Sequence, residues 1–486
     1  MQPPLDLLAW RAAATPHRPA IVTPDRTWIY ADLDAAADAW AAHLRAAGLT
    51  PGAVVALAAR PTPQALALLH GLLRAELTPL LLHLRFGPQE HARVLDAAQP
   101  AAVLVTPEAA ADLRLPPRVA AWALPPEPPP AQGPAPRPQR ASEVLLLTSG
   151  TTQAPKIARL TGANFFWSAL ASGYRLGVDP TDRWLLTLPL YHVGGLSIVL
   201  RSALYGTAVA LPPVQPSFDP AAWWDDLLRL RATLVSLVPT MLYRLLRARE
   251  QGPPRHLRVA LVGGAAAGPE VLQPALERGW PVALTYGLTE TASQVATAPP
   301  AQVARKPGSV GRPLLFTQVR VRDDAGHDLP PNRVGEIWVR GPGVFAGYWR
   351  AARATAEVLT PDGWLRTRDA GYLDPDGDLW VLARRSDLIV TGGENVTPQE
   401  VEAVLRQHPA VADAAVVGLP DPEWGHIVAA AVVPRPERSP SPQELQAHCR
   451  ARLAGYKIPR RFVFVDALPR TASGKLRRAA VRALFR

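Results

Sequence analysis

The sequence predicts an α/β protein with a large N-terminal domain of α/β subdomains, built on mainly parallel sheets, and a small α+β C-terminal domain. Its 486 residues are too many for a single hydrophobic core. Through most of the chain, short apolar runs alternate with segments of helical periodicity, which is typical of parallel sheets. After about residue 386 the pattern changes to capped helices and paired strands.

The N-terminal alternation is clearest in residues 27–59, which predict a strand, a helix and a second strand. Apolar residues at helical spacing form one face of the predicted helix: Leu33, Ala37, Trp40, Leu44 and Ala47. Gly48 should end this helix, and residues 54–57 should begin the next strand. Residues 258–268 repeat the pattern as a strand that meets a glycine turn. Residues 124–143 are rich in proline and predict a surface linker.

The C-terminal region contains two predicted capping boxes, Thr397 with Glu400 and Ser441 with Glu444. Pro398 would occupy the first helical position after Thr397. Residues 414–417, 427–433 and 461–465 predict strands, and a short basic helix should end the chain. We place the boundary within residues 383–388, which gives domains of residues 1–386 and 387–486.

Composition excludes several function classes. The net charge of +11 comes from arginines spread along the whole chain, without the basic tract that nucleic-acid binding would require. The most apolar window, residues 66–86, is interrupted by His70, Arg74, Glu76 and Pro79, so no membrane span is predicted. The N-terminus lacks the pattern of a signal peptide, and Cys449 is the only cysteine. We therefore expect a cytoplasmic protein.

Residues 145–164, LLLTSGTTQAPKIARLTGAN, place an apolar strand before a loop of hydroxyls and glycine. Lys156 follows Gly150 at the spacing of a Walker loop, but Pro155 replaces the second glycine and Ile157 replaces the magnesium-binding hydroxyl. The loop nevertheless offers many donors to phosphate oxygens. Of the 52 lysine and arginine residues, 48 are arginine and only four are lysine. Two of them, Lys156 and Lys475, lie in such loops, which suggests that arginine cannot replace them there.

Four further stretches carry candidate chemistry. They are VGGAA after a strand, TYGLTETASQ with Glu290 as an oxygen ligand for magnesium, GWLRTRDAGYLDPDG with Asp369, and LPRTASGK with Lys475. Together with residues 383–402, ARRSDLIVTGGENVTPQEVE, they follow one another in the order found in a known superfamily. The chain resembles the adenylate-forming enzymes, which include acyl-CoA synthetases, peptide-synthetase adenylation domains and luciferases. The resemblance covers nearly the whole chain.

This resemblance implies a two-step ligase that uses ATP, Mg²⁺ and CoA. A carboxylate and ATP form an acyl-adenylate and pyrophosphate, and a thiol then takes the acyl group. The implied ATP-binding residues are Thr148, Ser149, Gly150, Thr151, Thr152 and Lys156 at the triphosphate, Gly264, Ala265 and Tyr286 at adenine, Thr289 at the α-phosphate, and Asp369 with Arg385 at the ribose. Glu290 would bind the magnesium ion, and Lys475 would bridge the substrate carboxylate and the α-phosphate.

The resemblance also implies a mobile C-terminal domain that turns about Asp387, while Gly392 and Gly393 admit the pantetheine chain of CoA. One departure concerns Arg368, which stands where the family usually has glycine and should strain the loop before Asp369.

For the acyl group, residues 188–197, LPLYHVGGLS, lack the aspartate that holds an amino group in peptide-synthetase domains, so a carboxylate without an amine is implied. His192 would contact substrate or gate the thiol tunnel; the alternative is a histidine that merely caps a strand end. The other acyl-pocket candidates are Gly194, Gly195, Ser197, Ser293 and Gln294. Within the superfamily these stretches look most like the ligases that activate o-succinylbenzoate in menaquinone biosynthesis.

The expected partners are a small-molecule carboxylate and CoA, because the sequence ends eleven residues after Lys475 without a carrier domain. Three alternatives stay open: another aryl- or acyl-CoA synthetase, a stand-alone enzyme that loads a carrier protein, and a non-enzymatic relative that binds nucleotide. The oligomeric state is also open, with a homodimer among the possibilities.

Replacing the adenylation lysine should separate the two half-reactions. Lys475→Ala is expected to slow ATP–pyrophosphate exchange roughly 100- to 1,000-fold, because one positioned charge donor stabilises the transition state by that factor. Thioester formation from preformed acyl-adenylate and CoA should be largely retained. Equal loss in both assays would contradict a role confined to adenylation.

Overall fold

The computed structural model describes residues 6–128, 130, 138–148, 155–215, 217–384, 387, 389–391, 394–421, 424–453, 455–471 and 476–485. Helices and strands alternate along most of these residues. The helices are α1 (Leu7–Ala14), α2 (Tyr30–Ala46), α3 (Pro63–Arg74), α4 (Pro88–Ala98), α5 (Pro107–Ala110), α6 (Gly162–Leu176), α7 (Val193–Tyr205), α8 (Pro220–Arg229), α9 (Pro239–Ala248), α10 (Pro269–Glu277), α11 (Pro300–Arg305), α12 (Ala352–Ala356), α13 (Pro398–Arg406), α14 (Pro442–Arg450) and α15 (Arg478–Ala483).

The described residues also contain 3₁₀ turns at Thr289–Thr291 and Gly455–Lys457, and the strands given next. The strands are β1 (Pro19–Val22), β2 (Thr27–Ile29), β3 (Val54–Ala58), β4 (Thr78–Leu81), β5 (Ala102–Val105), β6 (Trp122–Ala123), β7 (Glu143–Leu147), β8 (Ile157–Thr161), β9 (Arg183–Leu185), β10 (Ala208–Ala210), β11 (Leu234–Leu237), β12 (Val259–Val262), β13 (Val282–Leu288), β14 (Ser293–Ala298), β15 (Gln318–Arg322), β16 (Gly335–Arg340), β17 (Leu365–Leu373), β18 (Leu379–Arg384), β19 (Ile389–Thr391), β20 (Glu394–Val396), β21 (Val411–Asp421), β22 (Gly425–Pro434) and β23 (Arg461–Phe464).

The two large sheets are mainly parallel, as the sequence predicted. One has the order β14-β13-β12-β11-β9-β10-β1-β2, and only its two outermost pairs are antiparallel. The other has the order β6-β5-β3-β4-β7-β8, with a single antiparallel pair at the β7–β8 edge. Smaller sheets have the orders β15-β16-β17-β18, β19-β20 and β21-β22-β23. The α/β fold class is therefore confirmed.

The predicted strand–helix–strand unit of residues 27–59 is present as β2, α2 and β3. The apolar face of α2 is buried through Leu33, Ala37, Trp40 and Leu44. The helix ends at Ala46, so Ala47 forms its C-terminal cap and is not part of the helical face. The strand β3 that follows is buried along its whole length, as expected for a strand inside a parallel sheet.

Part of the high proline content lies at helix N-termini. Among the described residues, proline is the first residue of nine helices, α3, α4, α5, α8, α9, α10, α11, α13 and α14. At this position the missing N–H costs no hydrogen bond, and the fixed φ already suits a helix. Nine of the 54 prolines therefore suit the helix starts that they occupy, whereas Pro274 lies inside α10.

The chain divides into two compact units. The first contains Met1–Ala265, Pro274–Val319 and Val339–Arg366, and the second contains Ala266–Gln273, Arg320–Trp338 and Thr367–Arg486. The second unit thus includes all of residues 387–486, and the domain boundary placed at residue 386 stays a prediction. Among the described residues, no helix combines the length and the hydrophobicity that a membrane-spanning helix requires.

In the second unit, the sheet β21-β22-β23 buries both of its faces. Alternate residues point to opposite sides of a strand, so Ala414 and Val416 pack with α13 and α14, whereas Ala415 and Val417 pack with α15. Cys449 lies within the first of these clusters and is fully buried. The predicted strands at 414–417 and 427–433 and the terminal basic helix are confirmed, although both strands extend further than predicted.

Of the two predicted capping boxes, only the one at Ser441 is correct. The Ser441 hydroxyl accepts a hydrogen bond from the Glu444 N–H, and the Glu444 carboxylate accepts from the Ser441 N–H in return. Thr397 caps α13 without a side-chain hydrogen bond, so the predicted Thr397–Glu400 box is wrong. The Glu400 carboxylate instead binds the Lys457 ammonium at 2.7 and 2.8 Å, because an ion pair with a distant lysine competes with the local cap.

Arg368 adopts the backbone angle that glycine would be expected to supply, with φ at +60°. Arg368→Gly should therefore raise the free energy of unfolding by about 1 kcal/mol, because a side chain in the left-handed region is strained. The matched control is Arg366→Gly, two residues earlier on the same exposed face of β17, where φ is negative and stability should fall by about 0.5–1 kcal/mol. Equal destabilisation of both variants in thermal unfolding would contradict strain at Arg368.

Candidate active site

The candidate adenine residues follow two adjacent parallel strands. Val262 at the end of β12 pairs with Leu284 on β13, so Gly264 and Tyr286 lie two residues further along neighbouring strands. Gly264 and Ala265 are exposed, while Tyr286 is only 9% exposed. Loops at the carboxyl ends of parallel strands are the usual place for ligands in open α/β sheets. The placement supports the predicted adenine site.

A tight turn between β13 and β14 presents Thr289 and Glu290. The turn is a 3₁₀ helix, and the Leu288 N–H donates to the Thr291 hydroxyl at 3.0 Å. Gly287 is required beneath it, because a Cβ at this position would lie 1.7 Å from the Ser293 carbonyl oxygen. Ala292 and Ser293 then take positive φ values of +50° and +112°. Strain of this kind is often retained at functional sites.

The hydroxyl-rich loop joins the antiparallel strands β7 and β8. The Thr148 N–H and hydroxyl both donate to the Lys156 carbonyl. These two hydrogen bonds hold the first and last residues of the loop close together. Ser149, Gly150, Thr151 and Thr152 lie outside the described residues. The Lys156 ammonium is half-buried and lies 5.3 Å from the centre of the Tyr348 ring.

The Glu290 carboxylate is held by one hydrogen bond, which the Tyr348 hydroxyl donates to Oε1 at 2.8 Å. No donor among the described residues contacts the other oxygen, Oε2. A carboxylate oxygen is a suitable ligand for a hard cation such as Mg²⁺. The described residues around Glu290 therefore fit the predicted metal role, with Glu290 as the protein ligand.

A buried arginine connects three of the predicted acyl-pocket residues. Arg201 on α7 is 2% exposed, and its guanidinium donates to the Ser197 carbonyl, the Gln294 side-chain oxygen and the Ser293 hydroxyl. The Arg201 guanidinium also donates to the Ser172 hydroxyl and lies over the Trp184 ring. Burial lowers the pKa of Arg201, and no carboxylate among the described residues forms an ion pair with it.

Sequence reasoning missed Arg201, although one signal was available. It is the only charged residue in α7, whose other residues from Gly195 to Ala203 are apolar or small and are all buried. A single charge in such a helix is expensive unless a partner compensates it. We therefore add Arg201 to the candidate acyl-pocket residues Ser197, Ser293 and Gln294.

His192 caps the N-terminus of α7 and is exposed to solvent. Its ring lies 4.8 Å from the ring of Tyr191 and 5.6 Å from that of buried His83. The surrounding protein and the positive charge of Arg85 both lower the pKa of His192, while burial lowers the pKa of His83 to about 4. Both imidazoles are therefore neutral at pH 7, so His192 is available to donate or accept a hydrogen bond without adding charge.

The two glycines after His192 differ in their surroundings. A Cβ at Gly195 would lie 2.3 Å from the Pro189 carbonyl oxygen, so this glycine is explained by close backbone packing. A Cβ at Gly194 would meet only the end of the Leu188 side chain, at 3.1 Å. The contribution of Gly194 and Gly195 to an acyl pocket stays a prediction.

The predicted ribose and hinge residues lie in the second unit. Asp369 is 7% exposed, and its N–H donates to the Thr367 hydroxyl, which itself donates to the Ile337 carbonyl. Asp387 lies 3.4 Å from the guanidinium of Arg478, which also binds the buried Glu402 carboxylate. Arg385, Gly392, Gly393 and Lys475 lie outside the described residues.

The family follows from a comparison with known domain models. Residues 8–349 match the AMP-binding enzyme model, and residues 400–475 match the model of the AMP-binding enzyme C-terminal domain. The chain belongs to the AMP-binding enzyme family. The predicted superfamily, the α/β fold and the class of AMP-forming ligase are thereby confirmed.

Individual proteins and solved structures are also similar to this chain. A 2-succinylbenzoate–CoA ligase of Geobacillus kaustophilus is 40% identical, with 98% of this chain and 97% of the relative covered. The o-succinylbenzoate CoA synthetase of Bacillus subtilis, solved with its acyl-adenylate intermediate, has a TM-score of 0.88, 35% identity and coverage of 99% and 98%. A structure of the same enzyme with ATP and a magnesium ion has a TM-score of 0.86, 35% identity and coverage of 98% of both chains.

The metal role of Glu290 is open to a direct test. Glu290→Gln should raise the Mg²⁺ concentration needed for half-maximal ATP–pyrophosphate exchange by at least about tenfold. Mutation of a residue that only hydrogen-bonds to a metal ligand already weakens metal binding by about this factor, so loss of the ligand itself should cost at least as much. An unchanged Mg²⁺ titration would contradict the metal role and leave Glu290 as a structural residue of the turn.

Proposed function

We propose that the protein is an o-succinylbenzoate–CoA ligase that converts o-succinylbenzoate, ATP and CoA into o-succinylbenzoyl-CoA, AMP and pyrophosphate. Relatives with this activity in their names match almost the full chain. The observation that carries the substrate assignment is Arg201, a buried cation among hydrogen-bonding side chains at the predicted acyl pocket. We further propose that the reaction takes place in the cytoplasm with free CoA as the acceptor.

The first step activates the aliphatic carboxylate. One of its oxygens attacks the α-phosphorus of ATP, the bond to the β-phosphate oxygen breaks, and pyrophosphate leaves. Lys156 and the hydroxyl-rich loop would hold the departing phosphates, and Lys475 would stabilise the negative charge that develops. Bound magnesium supplies further charge neutralisation, with Glu290 as its protein ligand.

The second step replaces AMP by the thiol of CoA. The thiol sulfur, after losing its proton, attacks the acyl carbonyl, and AMP leaves with the electrons of the anhydride bond. Adenylation makes this possible because a free carboxylate would have to expel oxide. His192 is neutral and reaches solvent, which suits a residue at the entrance for the thiol or next to the acyl carbonyl.

The buried charge of Arg201 favours an acyl substrate with a second carboxylate. A guanidinium that is removed from water without an anionic partner is costly, and neutral oxygens repay only part of that cost. o-Succinylbenzoate has an aromatic carboxylate in addition to the one that is activated. That group would supply the missing negative charge, with Ser293 and Gln294 as additional hydrogen-bond partners.

The test compares o-succinylbenzoate with 4-oxo-4-phenylbutanoate, which differs only in lacking the aromatic carboxylate. For the wild type, kcat/KM should favour o-succinylbenzoate by at least about 100-fold, because a site built for a polar group rejects an analogue that leaves its donors unpaired. Arg201→Met should reduce this preference to less than about tenfold.

The substrate pair provides its own control for folding. Damage to the structure lowers the rates with both acids equally, whereas loss of carboxylate recognition lowers only the rate with o-succinylbenzoate. If benzoate, 4-phenylbutyrate or a medium-chain fatty acid is the preferred substrate, another acyl-CoA synthetase is favoured. If an acyl-carrier protein accepts the acyl group and CoA does not, the carrier-loading alternative is favoured.

A further inference from the structure

Tyr348 contacts both of the oppositely charged side chains of the candidate nucleotide site, Glu290 and Lys156. Its hydroxyl donates to Glu290 Oε1 at 2.8 Å, and its ring lies 5.3 Å from the Lys156 ammonium. Lys156 and Glu290 do not form an ion pair with each other, and no carboxylate among the described residues pairs with Lys156. A half-buried ammonium and a nearby carboxylate would ordinarily attract each other strongly.

Independent contacts fix the position of Tyr348. Its N–H donates to the Thr355 hydroxyl at 2.9 Å, and its ring packs edge-on against buried Phe345 with centres 4.9 Å apart. The residue also forms a β-bridge with Ala158 on β8, the strand that begins directly after Lys156. The tyrosine is therefore fixed by its own surroundings and does not depend on Glu290 for its place.

The same segment also positions the backbone of the metal-ligand turn. The Phe345 N–H donates to the Glu290 carbonyl at 2.9 Å, and the Asn164 amide of α6 binds the carbonyls of Pro342 and Val344. Glu290 is thus held twice by residues 342–348, once through its backbone and once through its carboxylate. Supporting contacts of this kind orient a ligand and tune its affinity for a metal.

We propose that Tyr348 is a positioning residue for adenylation: its hydroxyl orients the Glu290 carboxylate for magnesium, and its ring keeps Lys156 apart from that carboxylate and available to phosphate. The inference rests on the proposed role of Glu290. It assigns to Tyr348 no contact with substrate or nucleotide. Its effect should therefore be seen in the metal dependence of ATP binding.

The decisive variant is Tyr348→Phe, which removes the hydroxyl and keeps the ring. Isothermal titration calorimetry should show roughly tenfold weaker binding of ATP in the presence of Mg²⁺ and a change of less than about twofold in EDTA. The Mg²⁺ concentration for half-maximal pyrophosphate exchange should rise by a similar factor. Tyr348→Leu, which also removes the ring, should weaken binding of ATP in EDTA as well.

Tyr243→Phe on α9 is the matched control, because it also removes a tyrosine hydroxyl and that residue is exposed. It should change neither measurement. In the Glu290→Gln background, Tyr348→Phe should add less than about twofold to the loss of Mg²⁺-dependent binding, because the two groups act as one unit. Full additivity of the two losses would overturn the proposal.

The outcomes distinguish this inference from the proposed function. If Glu290→Gln changes the Mg²⁺ dependence and Tyr348→Phe does not, the positioning role is wrong and the metal role stands. If Tyr348→Phe weakens ATP binding equally in Mg²⁺ and in EDTA, the hydroxyl acts on the fold or on the nucleotide and the proposal is also overturned. If Glu290→Gln itself leaves the Mg²⁺ dependence unchanged, both roles fail.

Discussion

The candidate site depends on the close approach of two backbone segments where β13 turns back into β14. Only glycine fits at position 287, because the Ser293 carbonyl occupies the space that a side chain would need. This contact forces the register shift after Tyr286 and the compact turn that carries Thr289 and Glu290. The turn requires positive φ angles at Ala292 and Ser293, and such angles are unfavourable for residues with side chains. One hairpin thus presents the candidate adenine, phosphate and metal residues together, and its second strand supplies Ser293 and Gln294.

Sequence reasoning was effective where the relevant information is local. Apolar periodicity located α2 and β3, and the Gly/Ser/Thr-rich loop could be placed directly after a strand, because strand alternation and helical faces are properties of short segments. It failed at Thr397, where a correct cap position and a suitable Glu400 were present but a lysine 57 positions away took the carboxylate. The contacts of Arg201 and Tyr348 could not be predicted for the same physical reason. Their partners lie 93 and 58 positions away, and only the fold brings them together.

Arg368 adopts a backbone conformation that glycine would adopt without strain. Its φ is +60°, in the left-handed region that residues with side chains rarely occupy. The surrounding contacts are sufficient to impose it: the Arg368 N–H donates to the buried Glu336 carboxylate, and Asp369 is tied to Thr367 on the same strand. The strain falls on the exposed residue, while the neighbouring Asp369 remains buried.

The buried positive charges Arg74 and Arg201 are both arginines, and their contacts differ from those of the lysines. Arg74 is fully buried, and the planar fork of its guanidinium binds the carboxylates of Asp6, Asp34 and Asp38 at once. Arg201 directs the same fork at neutral oxygens, and no carboxylate among the described residues forms an ion pair with it. Lysine is not a marker of function by itself, since Lys457 simply pairs with Glu400. At Lys156 the environment is different: an aromatic ring, no carboxylate partner among the described residues, and a hydroxyl-rich loop beside it. A compact charge held in that way is available to a phosphate, whereas a lysine already neutralised by an acid is not.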